Sequence, residues 1–418
     1  MTDVSRVARD AFSLRARWVF PVSSPPLDGG LVTIAAGRIV AVGENLSGRP
    51  PIDLGNVAIL PGLVNAHTHL EFSDLTAPLG EPGTPLPDWI RQVIAWRRQR
   101  GPATASSIER GLAEVVGSGT TALGEIRTGA ALPAGFDLPL ALTEFREVIA
   151  LDPTRFDAIV GDVNAWLAEP TDSGHRVRGL SPHAPYTVHP ELFGRLVESA
   201  ARHRAPLAMH LAESREELEL LATGRGAFRE LLEGAGVWNP SAFATPRRPL
   251  DYLPALATAP RALVVHGNYL ADDEIEFLAA HRDRLSVVYC PRTHAFFGHD
   301  RYPLAKMLAA GVRVALGTDS RASNPDLSLW AELQHVAAAF PELPPARVLA
   351  LATRAGAEAL GLPAAGVLAA GHEANLSIVT LPEGETSPAD PHLSLWHSAT
   401  RPSPAIFRGR AADASQQP

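Results

Sequence analysis

Two histidines one residue apart, His67 and His69, follow the apolar run VAILPGLV in the stretch VNAHTHLEFS. Residues i and i+2 of a strand share a face, so both imidazoles would project the same way. That arrangement suits two ligands of one metal ion, and equally two histidines hydrogen-bonded in a polar cleft. Further chemistry-bearing residues recur at the ends of apolar runs: His183 in SPHAPYT, His210 and Glu213 in MHLAES, His266 in VVHGN, and Asp319 in GTDS. Singly, each has an everyday explanation. A lone histidine is often a hydrogen-bonded structural residue, Glu213 could open a charged first helical turn, and Asp319 could be a helix N-cap. Together, three imidazoles and a carboxylate make a first shell for one divalent ion, Zn²⁺ or Fe²⁺, with water completing it. An ion held this way acidifies water towards neutrality. Glu213, three residues after His210, is placed to shuttle protons without binding the ion. His266 is open to two roles, metal ligand or hydrogen-bond partner of the attacking water, and the second is favoured.

The elements that must position these residues are legible as alternation. Short β-branched runs (VAILPGLVNAHTH, GTTALGEI, LPLALTEFREV, RVRGLSPHAP, PLAMHLAES, RALVVHGN, LSVVYCPR, VRVALGTDS) alternate with amphipathic stretches such as SSIERGLAEVVGSG and HPELFGRLVESAARH. About eight strand–helix units predict an α/β fold, a (β/α)8 TIM-type barrel, whose active site lies at the C-terminal ends of its strands. The polar residues fall there at strands one, four, five, six and eight. The remaining histidines, His175 and His189 among them, fall in helices, loops or flanks. Residues 57–364 are assigned to the barrel. Residues 1–56 and 365–418 read as short strands from both chain ends that pair into a small β-sandwich, with AADASQQP as a polar tail. Residues 236–260, Pro-rich and long for a loop, read as a lid or an unstructured segment.

Composition excludes several classes. The formal charge of −8 gives no basic footprint for nucleic acid. A single cysteine, Cys290, rules out a disulfide framework and a multi-cysteine zinc site, and with it the cytidine-type deaminases. No signal peptide or membrane-length apolar stretch is recognisable, so the expectation is a cytoplasmic protein with a small-molecule substrate. Oligomeric state is left open, a homodimer being unsurprising.

The order H-x-H, His, His, Asp on strands one, five, six and eight, with a flanking β-sandwich, resembles the amidohydrolase superfamily over essentially the whole chain. Binuclear members bridge two metals with a carboxylated lysine. No lysine lies between His69 and His210, so the mononuclear chlorohydrolase/deaminase branch fits better, Glu125 or Glu144 being substitutes in principle for a bridge. That resemblance implies His67, His69, His210 and Asp319 as metal ligands, Glu213 as acid/base and His266 as catalytic partner. SPHAPYTVHPEL and HLAESREELELL look like deaminases of adenine-type nucleosides, the methylthioadenosine/S-adenosylhomocysteine and aminodeoxyfutalosine types, the latter belonging to menaquinone biosynthesis. Implied with them is hydrolytic release of ammonia, with His183 and Trp89 as substrate contacts; Trp89 reads equally as a core anchor. One departure is CPRTHAFFGH, which puts Arg292 and His294 where such relatives commonly show a Ser-Asn pair, so both are candidate substrate contacts. The same site type serves chlorotriazines, guanine, cytosine and cyclic amides, which remain alternatives.

Overall fold

The computed structural model describes residues 11–129, 139–171, 175–383 and 389–411. The polar tail AADASQQP begins at the edge of that range, and almost all of it lies outside the described residues. Eight parallel strands form the central sheet: β1 (Leu63–Thr68), β2 (Thr120–Arg127), β3 (Ala141–Val148), β4 (Arg176–Pro182), β5 (Leu207–Leu211), β6 (Ala262–His266), β7 (Leu285–Tyr289) and β8 (Val314–Leu316). They pair in chain order. Closure comes from a parallel bridge between Thr68 and Asp319. There the amides of Thr318 and Asp319 both lie 3.1 Å from the His67 carbonyl. The expected eight-strand barrel is therefore present, and its seam runs through two of the candidate site residues.

The strands bury both faces, as parallel strands covered by helices must. Outward side chains such as Leu63, Met209, Val264, Val287 and Leu316 pack under the helices in one large apolar cluster. Inward ones, Val64, Ala66, Ala122, Phe145, Val265 and Val288, fill the barrel. The amphipathic stretches form the covering helices, among them Ala105–Gly117, capped by Thr104, and Pro190–His203, whose N-cap is His189.

The chain ends build two further sheets. Phe12–Arg15, Leu31–Ala35, Arg38–Val42 and Ile52–Asp53 form one. In the other, Val57–Pro61 pairs antiparallel with Leu376–Thr380, joining the two ends of the chain. Leu14, Val32, Ile34, Ile59, Leu376 and Ile378 share the core of this flanking unit. Gly62 then turns the chain into the barrel, where a Cβ would overlap the Thr121 side chain.

Residues 236–260 differ from expectation. They fold into short helical turns, Pro240–Phe243, Pro249–Asp251 and Leu253–Leu256. Asn239 Nδ2 pins them to the Leu151 carbonyl at 2.7 Å, and Leu253 and Leu256 are buried in the main core. Prolines at the starts of these turns supply helical φ where no N–H is needed. No helix among the described residues is long and apolar enough to cross a membrane.

Candidate metal centre and its surroundings

The β1–β2 register shifts between Asn65 and Thr68, at the end of β1. Irregularities of this kind re-aim side chains. Asn65 fastens the strand here: its Nδ2 donates to Thr318 Oγ1 at 2.9 Å, and its Oδ1 accepts from the Thr318 and His67 amides. Thr68 Oγ1 and the Leu70 amide both donate to Glu125, at 2.5 and 2.8 Å. The His67 and His69 rings end 4.9 Å apart and perpendicular. Gly317 leaves room for them, since a Cβ there would lie 2.8 Å from His67 Cβ.

Asp319 arrives from β8 in the left-handed region, φ 58°. Ser323 Oγ donates to its Oδ2 at 3.1 Å. Its Oδ1 faces His67 Nε2 at 3.6 Å and His69 Nε2 at 3.7 Å. From β5, His210 brings its ring to 5.0 Å from that of His67 and 5.5 Å from that of His69. Its Nδ1 is 2.9 Å from the His183 carbonyl, which fixes the ring and frees Nε2. His266, also at positive φ (69°), lies with its ring 5.4 Å from His210. Its Nε2 is 3.5 Å from Glu213 Oε1.

Glu213 sits on a strained corner, Ala212 having φ 55°. The buried Glu217 carboxylate holds that corner by accepting from the Ala212 and Glu213 amides at 3.0 and 2.8 Å. Backbone strain at His266, Asp319 and Ala212 thus collects at one rim, as it does where geometry is over-determined for function.

The electrostatics suit a cation. His67, His69, His210, His266, Glu213 and Asp319 are all buried. Burial first, and neighbouring imidazoles with it, hold His69 and His210 well below the usual histidine range, Arg97 adding to the effect on His69. Burial does the same to His266. Burial alone would raise Asp319, but the His67, His266 and His69 imidazoles outweigh it and keep the carboxylate ionised. Glu213 is pushed well up by burial and by the charges of Asp319 and Glu217. Neutral imidazoles beside an ionised carboxylate are the ligand states a metal requires. His67 Nε2, which faces Asp319, is buried without a hydrogen-bond partner, a deficit that a bound ion relieves. His67, His69 and Asp319 bring ligand atoms within 4.8 Å of one another, as do His67, His210 and His266. The residues fit a divalent ion.

The chain belongs to the amidohydrolase family. That family's model matches residues 58–411. The chain is 32% identical to a 5-methylthioadenosine/S-adenosylhomocysteine deaminase of Moorella thermoacetica, covering 88% of this chain and 86% of that protein. It is 28% identical to an aminodeoxyfutalosine deaminase of Nitratiruptor, over 85% of this chain and 86% of the relative. The crystal structure of Helicobacter pylori aminofutalosine deaminase superposes with a TM-score of 0.80 at 21% identity, covering 96% of this chain and all of that one, which shows the shared fold. As an amidohydrolase, the protein is a hydrolytic enzyme acting on C–N bonds, of a generally metal-dependent family.

The other expected site residues are placed less uniformly. His183 stands beside His210, rings 4.9 Å apart, with Nδ1 2.7 Å from Thr187 Oγ1. Trp89 donates to the Ala322 carbonyl at 3.0 Å and packs edge-on to Phe297. With Ile90 and Ile94 it joins Leu86, Tyr186, Phe228 and Phe297 in an apolar cluster drawn from the loops that follow several strands. That placement fits the anchor role. Arg292, expected as a substrate contact, is held by acidic partners within the protein. Its guanidinium is engaged by Glu332 (2.7 Å), on the helix Leu329–Ala339, and by both carboxylate oxygens of Asp326 (3.0 and 2.5 Å), in the loop before that helix. His294 is buried against Tyr289, Tyr302 and His299, with Nε2 unpartnered. Glu125 and Glu144 do not join the histidines either: Glu125 serves Thr68 and Leu70, and Glu144 pairs with Arg127 and Arg176.

Sequence reasoning missed Glu217, Asn65, Ser323 and Glu147. Glu147 had a usable signal, since in ALTEFREV it shares the alternation face of Thr143 and Phe145 and stands at the end of the strand. The other three act through hydrogen bonds to backbone or ligands, which no spacing rule announces.

Proposed function

We propose that this amidohydrolase is a metal-dependent deaminase that hydrolyses the exocyclic amine of an adenine-type nucleoside, of the aminodeoxyfutalosine, methylthioadenosine or S-adenosylhomocysteine class. The observation that carries the reading is the convergence of His67, His69, His210 and Asp319 on one rim, with the Glu213–His266 pair beside them. It is supported by relatives named as deaminases of those nucleosides. His67, His69, His210 and Asp319 would hold one divalent ion, Zn²⁺ or Fe²⁺; such an ion acidifies water and makes it nucleophilic at neutral pH.

The chain's own groups do the rest. Asp319 Oδ1 takes a proton from the attacking water. Glu213, kept protonated by burial, gives its proton to the ring nitrogen next to the reacting carbon. Glu213 then takes the second proton of that oxygen and delivers it to the amine, which leaves as ammonia while the ring carbon keeps the oxygen as a carbonyl; the proton held by Asp319 passes to Glu213 and resets the pair. His266 Nε2 stabilises that oxygen as charge develops on it. His183 lines the substrate side of the chamber, and the apolar cluster around Trp89 and Phe297 keeps bulk water away.

The deciding experiment measures ammonia release by the metal-loaded protein from aminodeoxyfutalosine, methylthioadenosine, S-adenosylhomocysteine, adenosine, guanine, cytosine and a chlorotriazine, following chloride for the last. Preference for one adenine-type nucleoside is the expected result. Turnover of only guanine, cytosine or the triazine assigns the site to that alternative. Silence across the panel with metal bound overturns the nucleoside reading.

A further inference from the structure

Buried carboxylates around this barrel are almost all satisfied. Glu125 accepts from Thr68 and Leu70, Glu144 pairs with two arginines, and Glu217 takes two amides. Glu332 accepts from Arg292 and Asn324. Glu147 breaks the pattern. It stands one residue from the end of β3, on the alternation face of Phe145, which packs inside the barrel. Its side chain is 2% exposed, and Oε1 is 3.8 Å from His183 Nε2, beyond hydrogen-bond range. Oε2 has no partner at all. Whichever nitrogen of His183 carries the proton, that oxygen stays unsatisfied.

A buried carboxyl in this condition is costly, because nothing replaces the water it lost. The position explains why the cost is tolerated. Ligand-capable atoms of Glu147, His183 and His210 lie within 4.8 Å of one another, so Glu147 borders the chamber that holds the candidate metal ligands. Among the described residues, one other carboxyl at that rim, Glu213, is similarly without a hydrogen bond to its oxygens, and it is the candidate acid/base.

Resting on the nucleoside reading above, we infer that Glu147 is a substrate-recognition residue, its carboxyl completing a hydrogen bond with one polar atom of the bound nucleoside beside His183. Burial, which lifts this carboxyl to about 7, lets it donate or accept near neutral pH at little cost. A sugar hydroxyl and a ring nitrogen share that chemistry, and the test separates them.

The test compares wild type, Glu147→Ala and the isosteric Glu147→Gln, metal-loaded, on the preferred nucleoside and its 2′-deoxy, 3′-deoxy, 3-deaza and 7-deaza analogues. Metal content and Tm are measured alongside. For Glu147→Ala, kcat/KM on the parent nucleoside should fall roughly 10- to 100-fold, the usual effect of leaving one buried hydrogen bond unmade, with metal content unchanged. On the one analogue lacking the contacted atom the penalty should shrink to about twofold, because the partner is already gone. If Glu147→Ala folds poorly, Glu147→Gln carries the same comparison. Equal penalties on every analogue, no penalty on any, or loss of metal in Glu147→Gln overturns the inference. Wild-type protein inert towards all the nucleosides overturns the parent reading as well, whereas wild-type turnover with unselective variants overturns this inference alone.

Discussion

Glu213 and Glu217 are neighbours on one corner with opposite duties. Glu213 is buried, raised, and aimed at His266; Glu217 is buried, raised to about 7, and turned back to its own backbone. Glu213→Gln keeps the shape and removes the transferable proton, so the expected outcome is full metal occupancy with turnover down by about 10²-fold or more. Retained turnover would remove Glu213 from the acid/base role. Glu217→Gln acts differently, because an amide accepts from one backbone N–H but opposes the other with its own NH₂. The Ala212 corner should relax, lowering kcat about tenfold through misplacement of Glu213. The alkaline limb of the pH–rate profile, set by loss of the Glu213 proton, should remain, which distinguishes a positioning residue from the acid itself. Disappearance of that limb in Glu217→Gln would exchange the two roles.

At the scale of elements, the end of β8 carries the tightest constraint. Gly317 passes the His67 side chain where a Cβ would sit 2.8 Å from His67 Cβ and 3.0 Å from its carbonyl. Gly317→Ala should push β1 and β8 apart at the seam. Overpacking of this kind costs about 1–3 kcal/mol, and here it also moves the candidate ligand His67 and the Asp319 turn together. The expected result is a lower Tm and reduced metal affinity, by thermal melts and metal titration; an unchanged affinity would mean the seam does not set the ligand geometry. This seam also shows what sequence can and cannot reveal. Strand identity and the rim placement of His67, His210, His266 and Asp319 follow from period and order, because apolar runs and strand ends are local features. The register shift at Asn65, the left-handed φ of Asp319 and the capture of Arg292 by Asp326 and Glu332 are set by contacts between distant segments. A pleat rule read along one strand anticipates that the His67 and His69 rings come together, but not that a register irregularity and an asparagine aim them. Likewise, proline content suggests a lid or an unstructured segment at 236–260, while burial of Leu253 and Leu256 ties it down.

Across the whole molecule, buried titratable groups pull stability in opposite directions with pH. His294 and His299 are held at about 4, chiefly by burial, against 6.5 in the open chain. A histidine with a depressed folded pKa favours the folded state above pH 6.5 and loses that contribution as pH falls towards 4. Glu147 and Glu217 are raised to about 7 from 4.5. Their contribution has the reverse sign: it is present below pH 4.5 and is lost as pH rises through 7. Between pH 4.5 and 6.5 the two slopes oppose, so the wild-type curve should be flatter there than either pair alone would make it. The double variant His294→Asn/His299→Asn deletes one side of this balance. Its stability relative to wild type should improve progressively from pH 6.5 down to 4, by on the order of 1–2 kcal/mol per histidine removed, and its Tm should rise accordingly. Thermal melts of both proteins, stripped of metal so that ligand protonation is common to both, measure the difference directly. Curves that stay parallel from pH 7.5 to 4.5 would show that these two imidazoles reach water when folded, and that the space around them behind β7 is wet.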